Sequence, residues 1–210
     1  MKLDNYLNKK FPDLKLKLGL FYEYPIGIRF ELGCEEQFKD NDVNYRSEVY
    51  KKSITIFRDL FDVDDEIFIV TNVHTEIEKE APGKLKVYSN YIKNKKTLYS
   101  LNTMKKPNVD EDDYLNTHQF WLKCKVSDVD YVGLIKAVCN QDLGIKPFIS
   151  HDVFFVNITK QLIFNVYDDR GCDVVATSLN VLENVYHLHE DWILSYDKKE
   201  IDKRFKNIDY

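Results

Sequence analysis

The sequence predicts an α+β protein with a mixed, largely antiparallel sheet and helices packed on it. Two observations support this prediction. Several stretches of the 210-residue chain alternate apolar and polar residues, which is typical of strands that bury one face. Others repeat apolar residues every three or four positions, which is the period of a helix with one buried side. A chain of this length buries about 70% of its unfolded surface, so a full core needs no disulfide or metal.

The first half of the chain predicts helix, strand, helix and strand in that order. A short helix is expected over 3–11, and a strand over 22–33, where every even position from 22 to 32 is apolar. Pro25 cannot donate a hydrogen bond within a sheet, which places the start of this strand at an edge or a bulge. Residues 44–61 predict a long helix, and 66–73 a strand covered on both faces. This order suggests a parallel pair joined by a right-handed crossover, with a longer rearrangement as the alternative.

The middle of the chain, residues 75–118, carries no pattern that assigns a structure. Its first part, 75–86, has four charged residues before a Pro-Gly pair, which is typical of an exposed connection. The charge runs that follow are expected to be solvated surface. We predict a single domain over 1–210, with the alternative of two closely packed halves, 1–74 and 117–210, joined by this segment.

In the second half of the chain, the residue patterns assign helices and strands more clearly. Residues 118–126 alternate and predict a strand. Ser127 or Asp128 is expected to cap the next helix, because its side-chain oxygen can accept a hydrogen bond from a free amide of the first turn. Gly144 suits the left-handed residue that ends such a helix. Three successive antiparallel strands are predicted within 151–177.

The chain is predicted to end in helices that begin at Thr177 or Ser178. His189 falls on their apolar side and is expected to be a hydrogen-bonded core histidine. Asp197, followed three positions later by a glutamate, is predicted to cap the last helix.

Composition excludes several classes of function. A formal net charge of −5 argues against general nucleic-acid binding, which needs clustered cations, and weakly favours basic partners. The 14 tyrosines and 13 phenylalanines suit a core and also an interface. The cysteines form no C-x-x-C pair, so neither a metal nor a cofactor is predicted; they are Cys34, Cys124, Cys139 and Cys172.

The location is predicted to be cytoplasmic, with reduced thiols and no membrane contact. The first residues alternate charge with leucine and lack the apolar core of a signal peptide. No run approaches the roughly 20 apolar residues that span a bilayer. The oligomeric state stays open.

The stretch "YDDRGC", residues 167–172, is the most distinctive polar segment. Asp168 suits the first position of a type I turn, and Gly171 suits the fourth, where a positive φ would form a bulge. In this interpretation Asp168 accepts hydrogen bonds from nearby amides, while Asp169 and Arg170 point to water. The alternative is a rigid tip that presents a carboxylate and a guanidinium to a partner. Catalysis is less favoured, because adjacent acids on a turn diverge.

Three segments carry a resemblance to a known family. They are "LNKKFPDLKLKLGLFYEYPIGIRFELG", "YDDRGCDVVA" and "DWILSYDKKEIDKRF", and they resemble the bacterial family catalogued as domain of unknown function 3885. The resemblance implies a bacterial, soluble, single-domain protein and implies no reaction. If the segments that carry it mark a site, the resemblance selects binding candidates and no catalytic residue: Arg29, Glu31, Asp168, Asp169 and Arg170.

Three hypotheses of function follow. The first is a non-catalytic module that binds a protein partner, as bacterial immunity proteins and inhibitors do, and we place it ahead of an enzyme. The second is a metal-dependent hydrolase or nucleotide-processing enzyme with an acidic site, which needs Glu31 and Asp168, with Asp169 as an optional third carboxylate, to converge on a divalent cation. The third is purely structural, with Arg29 pairing with Asp169 or Glu31 across the sheet.

Overall fold

The computed structural model describes residues 2–33, 43–76, 79–80, 82–83, 85–106 and 115–206. Within them, helices and strands alternate along the chain and are named in chain order. They are α1 (Leu3–Lys10), α2 (Leu20–Glu23), β1 (Gly27–Glu31), α3 (Val43–Leu60), β2 (Glu66–Glu76), α4 (Lys86–Tyr91), β3 (Asn102–Lys106), β4 (Leu115–Lys125), α5 (Tyr131–Leu143), β5 (Asp152–Asn157), β6 (Leu162–Val166), β7 (Gly171–Ala176), α6 (Asn180–Leu188) and α7 (Ser195–Lys206). Short 3-10 helices lie at Lys95–Ser100, Val126–Asp128 and Glu190–Trp192.

The strands form one antiparallel sheet in the order β1-β7-β6-β5-β2-β4-β3. This architecture confirms the predicted α+β class with helices packed on a sheet. The predicted parallel pairing of β1 with β2 is wrong, because β7, β6 and β5 lie between them. Each neighbouring pair of described strands is antiparallel.

Both faces of the sheet are covered by apolar side chains. Residues of α3, α4, α5, α6 and α7 pack on one face, which we call the helical face. The segment 3–20 packs on the opposite face, which we call the N-terminal face. Strand β2 lies inside the sheet and alternates between the two cores, with Ile67 in the first and Phe68 in the second. This arrangement confirms the expectation that 66–73 is a strand buried on both sides.

The strand predicted over 22–33 is shorter than expected. Helix α2 occupies 20–23, and β1 begins at Gly27. Ile28 and Phe30 are fully buried as the alternation predicts, whereas Tyr22 is 59% exposed. The reason is tertiary: the backbone N–H of Phe21 donates to the carboxylate of Asp173 at 3.2 Å, and this contact holds the α2 segment across the sheet edge. Strand β1 is an outer strand, as the proline before it indicates.

Two predicted helix caps are wrong. Asp130, not Ser127 or Asp128, caps α5, and its Oδ1 accepts a hydrogen bond from the N–H of Gly133 at 3.1 Å. Asp197 lies inside the first turn of α7 rather than before it. The expected end of α5 is confirmed, since Gly144 has a φ of 64°.

The unpatterned middle contains helix α4 and strand β3. Parts of the predicted exposed connection, residues 77–78, 81 and 84, lie outside the described residues, as does the acidic run at 110–113. In the described part of the chain, no helix combines the length and the apolar character needed to cross a membrane.

Candidate functional site

An ion pair between β1 and β7 is the centre of the candidate site. The register of the two strands places Arg29 opposite Asp173. The guanidinium donates from Nε to Oδ1 and from Nη2 to Oδ2 of that carboxylate, both at 2.7 Å. The Asp173 side chain is fully buried, and that of Arg29 is only 12% exposed. Burial lowers the pKa of Arg29, but the hydrogen bonds and charge of Asp173 outweigh it and raise that pKa above its ordinary value.

Aromatic rings surround the guanidinium of Arg29. Its central carbon lies 4.4 Å from the ring centre of Tyr22, 5.4 Å from that of Tyr167 and 5.7 Å from that of Phe21. Rings at these distances attract a cation through their negative faces. Burial, followed by the charge of Asp173, raises the pKa of Tyr167, so its phenol stays neutral. The arginine is therefore held in one position by a carboxylate and by ring faces.

The last helix is tied to the same place. The hydroxyl of Tyr22 lies 3.1 Å from both carboxylate oxygens of Asp197 and donates to this group. The backbone N–H of Leu194 donates to the carbonyl of Arg29 at 3.0 Å, which covers part of the outer edge of β1. The three segments that carry the family resemblance are thus neighbours in space.

The structure confirms only part of the prediction made for residues 167–172, which include the β6–β7 turn. Asp168 is buried, and its Oδ1 accepts a hydrogen bond from the backbone N–H of Arg170 at 2.7 Å, as expected. Its Oδ2 accepts from Nε of Arg170 at 2.9 Å and also from Nη2. Arg170 is half exposed but bonded to Asp168 rather than directed freely into water.

The prediction that Asp169 points to water is wrong. Its side chain is buried, and its Oδ2 accepts a hydrogen bond from the hydroxyl of Tyr45 at 2.6 Å. Tyr45 belongs to α3, which packs on the helical face and covers the turn. Burial raises the pKa of the Asp169 carboxyl above its ordinary value, and the hydrogen bond from Tyr45 opposes this effect.

Gly171 is needed for close packing rather than for a positive φ, which it does not have. A Cβ at this position would lie 2.0 Å from the hydroxyl of Tyr167 and 2.8 Å from the carbonyl oxygen of Phe30. The glycine therefore lets the Tyr167 side chain cross β7.

The five predicted site residues do not converge on one point. Arg29 lies on the N-terminal face and binds Asp173, so the predicted pairing with Asp169 or Glu31 is wrong. Asp169 contacts α3 on the helical face. Glu31 is half buried, and its backbone carbonyl accepts from Nζ of Lys52 at 3.3 Å. Among the described residues, no group of three or more His, Cys, Asp or Glu is placed to hold a metal ion.

The sequence analysis did not identify three residues of the site, which are Asp173, Tyr45 and Tyr22. Asp173 follows Cys172 in "GCDVVA", where alternation places it on the same face as the buried Val175. A carboxylate in a buried strand needs a cationic partner, so the alternation could have predicted a cation beside Asp173; the structure shows that this cation is Arg29. No local pattern marks Tyr45 or Tyr22, because their partners are more than 120 residues away.

His189 is a hydrogen-bonded core histidine, as predicted. Its Nε2 lies 2.6 Å from Oδ2 of Asp59, and its ring stacks on Trp192 with ring centres 4.2 Å apart. A second histidine, His74, lies 3.0 Å from Asp152 and 3.1 Å from the hydroxyl of Thr117. Both rings link separate elements of the fold.

An open groove of about 390 Å³ lies beside the Arg29 cluster, between α2 and α7. We call it the edge groove, and its walls include Tyr22, Glu23, Tyr24, Asp197, Glu200 and Arg204. Tyr22, which lines this groove, is 59% exposed, and Tyr196, next to the lining residue Asp197 in the chain, is 85% exposed.

Comparisons with known proteins identify relatives but give no reaction. The chain is 35% identical over 210 residues to "Uncharacterized protein YnaE" of Bacillus subtilis (strain 168), with 93% of this chain and 99% of that protein covered. No solved structure matches. The family model described as "Domain of unknown function (DUF3885)" matches residues 3–197, which contain β1, the β6–β7 turn and the start of α7. The chain therefore belongs to the DUF3885 family.

Proposed function

We propose that this chain is a non-catalytic, cytoplasmic protein-binding module of the immunity or inhibitor type, and that it binds its partner at the edge groove. One observation supports this function above others: Tyr22, which lines the edge groove, and Tyr196, which precedes the lining residue Asp197 on α7, are both strongly exposed. Exposed aromatic side chains are enriched at protein interfaces, because they bury a large area and lose little conformational freedom.

The edge groove is built on rigid supports. The hydroxyl of Tyr22 is bound by Asp197, and the face of its ring is occupied by the guanidinium of Arg29. A side chain that is already fixed loses little entropy on binding, so more of the contact energy appears as affinity. The buried Arg29–Asp173 pair is, in this proposal, a positioning element and not a contact of the partner.

Charge favours a basic partner. Three carboxylates border the groove, those of Glu23, Asp197 and Glu200, against one cation among its described lining residues, Arg204, and the chain carries a formal net charge of −5. A partner that presents lysine or arginine side chains gains electrostatic attraction during approach and can place a cation against tyrosine rings.

A metal-dependent hydrolase has less support. Its required carboxylates already accept hydrogen bonds from protein groups, Asp168 from Arg170 and Asp169 from Tyr45. They also contact different elements, so binding one cation would require both arrangements to break.

The experiment is affinity capture with a matched pair of surface variants. The wild-type chain, Tyr196→Glu and Tyr99→Glu are used as bait in an extract of the cells that produce the protein. Tyr99 is 94% exposed in the 3-10 helix before β3 and serves as the control, because it is far from β1 in the strand order. We expect a stoichiometric partner with the wild type and with Tyr99→Glu, and loss of this partner with Tyr196→Glu. Equal capture by all three baits, or no stoichiometric partner for any of them, contradicts the proposal.

A further inference from the structure

A second and larger groove lies between α4 and the loop that precedes β5. Its volume is about 790 Å³, and its walls include Leu85, Lys86, Asn90, Lys146, Phe148 and Ile149. This volume lies in the range of about 300–1,000 Å³ that is typical of small-molecule sites. We call it the α4 groove. It is separate from the edge groove, since the described lining residues of the two grooves are all different.

The charged side chains of the α4 groove are all basic, which is unusual for a chain with a net negative charge. Lys86 and Lys146 line it, together with His151, and among the residues that the structure describes no aspartate or glutamate does. The ammonium groups of the two lysines make no hydrogen bond or ion pair with any residue that the structure describes. Two uncompensated ammonium groups in one groove favour an anionic ligand, and phosphate oxygens are acceptors that lysine binds well.

The apolar wall of the same groove offers a surface for a planar ring. Phe148 is 47% exposed, and the same groove is lined by the buried side chains of Leu85 and Ile149. An exposed phenylalanine is a typical stacking platform for a nucleobase. Asn90, an exposed residue on α4, brings an amide that can donate to and accept from the edge of such a base.

We propose that the α4 groove binds a nucleotide, with its phosphates on Lys86 and Lys146 and its base against Phe148. The assignment needs both features of the groove, because the lysines favour the phosphate groups of the ligand and the aromatic side chain favours its planar base. The inference is independent of the partner proposed for the edge groove, so either can fail without the other.

The test is isothermal titration of the full chain at low salt with ATP, AMP, adenosine and inorganic phosphate. We expect ATP to bind most tightly, and both adenosine and phosphate to bind at least about tenfold more weakly than ATP. Lys86→Glu and Lys146→Glu are each expected to weaken ATP by about tenfold or more. The matched control is Lys199→Glu, an exposed lysine on α7, which should leave the affinity unchanged.

A second pair of variants tests the ring. Phe148→Ala should weaken ATP and AMP but leave the binding of inorganic phosphate unchanged, while Leu188→Ala, a change at a similarly exposed apolar residue on α6, should alter neither. All substituted residues are exposed, and thermal unfolding of each variant confirms that it is folded. Absence of binding by every probe, equal weakening by Lys199→Glu, or equal affinity for phosphate and ATP overturns the proposal.

Discussion

Arg29 and Asp173 face each other across β1 and β7 and are joined by two hydrogen bonds of 2.7 Å in a buried position. This pair lies beneath Tyr22 and beside the outer edge of the sheet. Because Asp173 also accepts from the backbone N–H of Phe21, one carboxylate fixes both the strand and the α2 segment before it. The exposed tyrosine at this edge therefore depends on a buried charge.

The first prediction concerns this pair. Arg29→Met leaves the Asp173 carboxylate buried without its cation, and breaking a buried pair in this way costs about 3–5 kcal/mol. Urea unfolding measures the loss. The control is Lys123→Met, which breaks the exposed pair with Glu66 and should cost about 0–1 kcal/mol. Equal losses in the two variants contradict the role given to Arg29.

The second prediction concerns Gly171. An alanine methyl group would meet the hydroxyl of Tyr167 and the backbone carbonyl of Phe30, so Gly171→Ala should lower the free energy of unfolding by about 1–3 kcal/mol. Gly83→Ala is the control, because a Cβ at that position meets no atom of the described residues within 4 Å. Thermal unfolding distinguishes the two, and a Gly171→Ala variant as stable as Gly83→Ala would show that the close contact relaxes freely.

The third prediction is a pH dependence. Burial raises the pKa of Asp169 in the folded state above its ordinary value of 3.8. The folded state then holds this proton more tightly than the unfolded state, so the contribution of Asp169 to stability falls as the pH rises from its ordinary pKa through its raised one. Asp169→Asn removes this dependence and keeps an oxygen that can accept from Tyr45.

The measurement is the difference in free energy of unfolding between Asp169→Asn and wild type, from about pH 4 to pH 8. We expect it to increase in favour of the variant as the pH rises. Asp191→Asn, at an exposed position, is the control and should show no such trend. A difference that stays constant with pH would contradict the raised pKa of Asp169. A variant that becomes less stable than wild type as the pH rises would mean that the bond from Tyr45 to a charged carboxylate outweighs the cost of its burial.

The fourth prediction separates a binding module from a metal-dependent enzyme. Because Asp168 is bound to Arg170 and Asp169 to Tyr45, Mg²⁺ and Mn²⁺ should leave the melting temperature unchanged. Thermal shift with and without each cation measures this. A rise with metal that disappears in Asp168→Asn would instead support the hydrolase hypothesis.

The fifth prediction concerns thiol reactivity. Burial raises the pKa of Cys124 and of Cys139 to about 12 and that of Cys172 well above its ordinary value. The thiolate is the reactive form, so these three thiols should react slowly with a disulfide reagent in the folded protein and rapidly in denaturant. The assay uses Cys34→Ser, because Cys34 lies outside the described residues. Fast labelling of any of the three in the folded state contradicts their burial.

Much of the fold follows from local patterns in the sequence. The apolar run at 66–73 and the alternation at 118–126 became β2 and β4, and the repeat at 44–61 became α3. These patterns are predictive because the period of a helix or strand determines which of its side chains share the buried face, whichever neighbouring element covers that face. Asp168 as a turn residue is a prediction of the same local kind, and it is confirmed.

Only the tertiary structure decided which elements are neighbours. Periodicity does not show that β7 rather than β2 pairs with β1, or that α3 closes over the turn and buries Asp169. For the same reason the alternation at 22–26 predicted a strand where α2 forms, held by a carboxylate about 150 residues away. The sequence by itself determined the elements that have a clear apolar period, and their buried sides, but not α2, α4 or β3. The partners of the charged residues, and with them the candidate site, depend on contacts between distant parts of the chain.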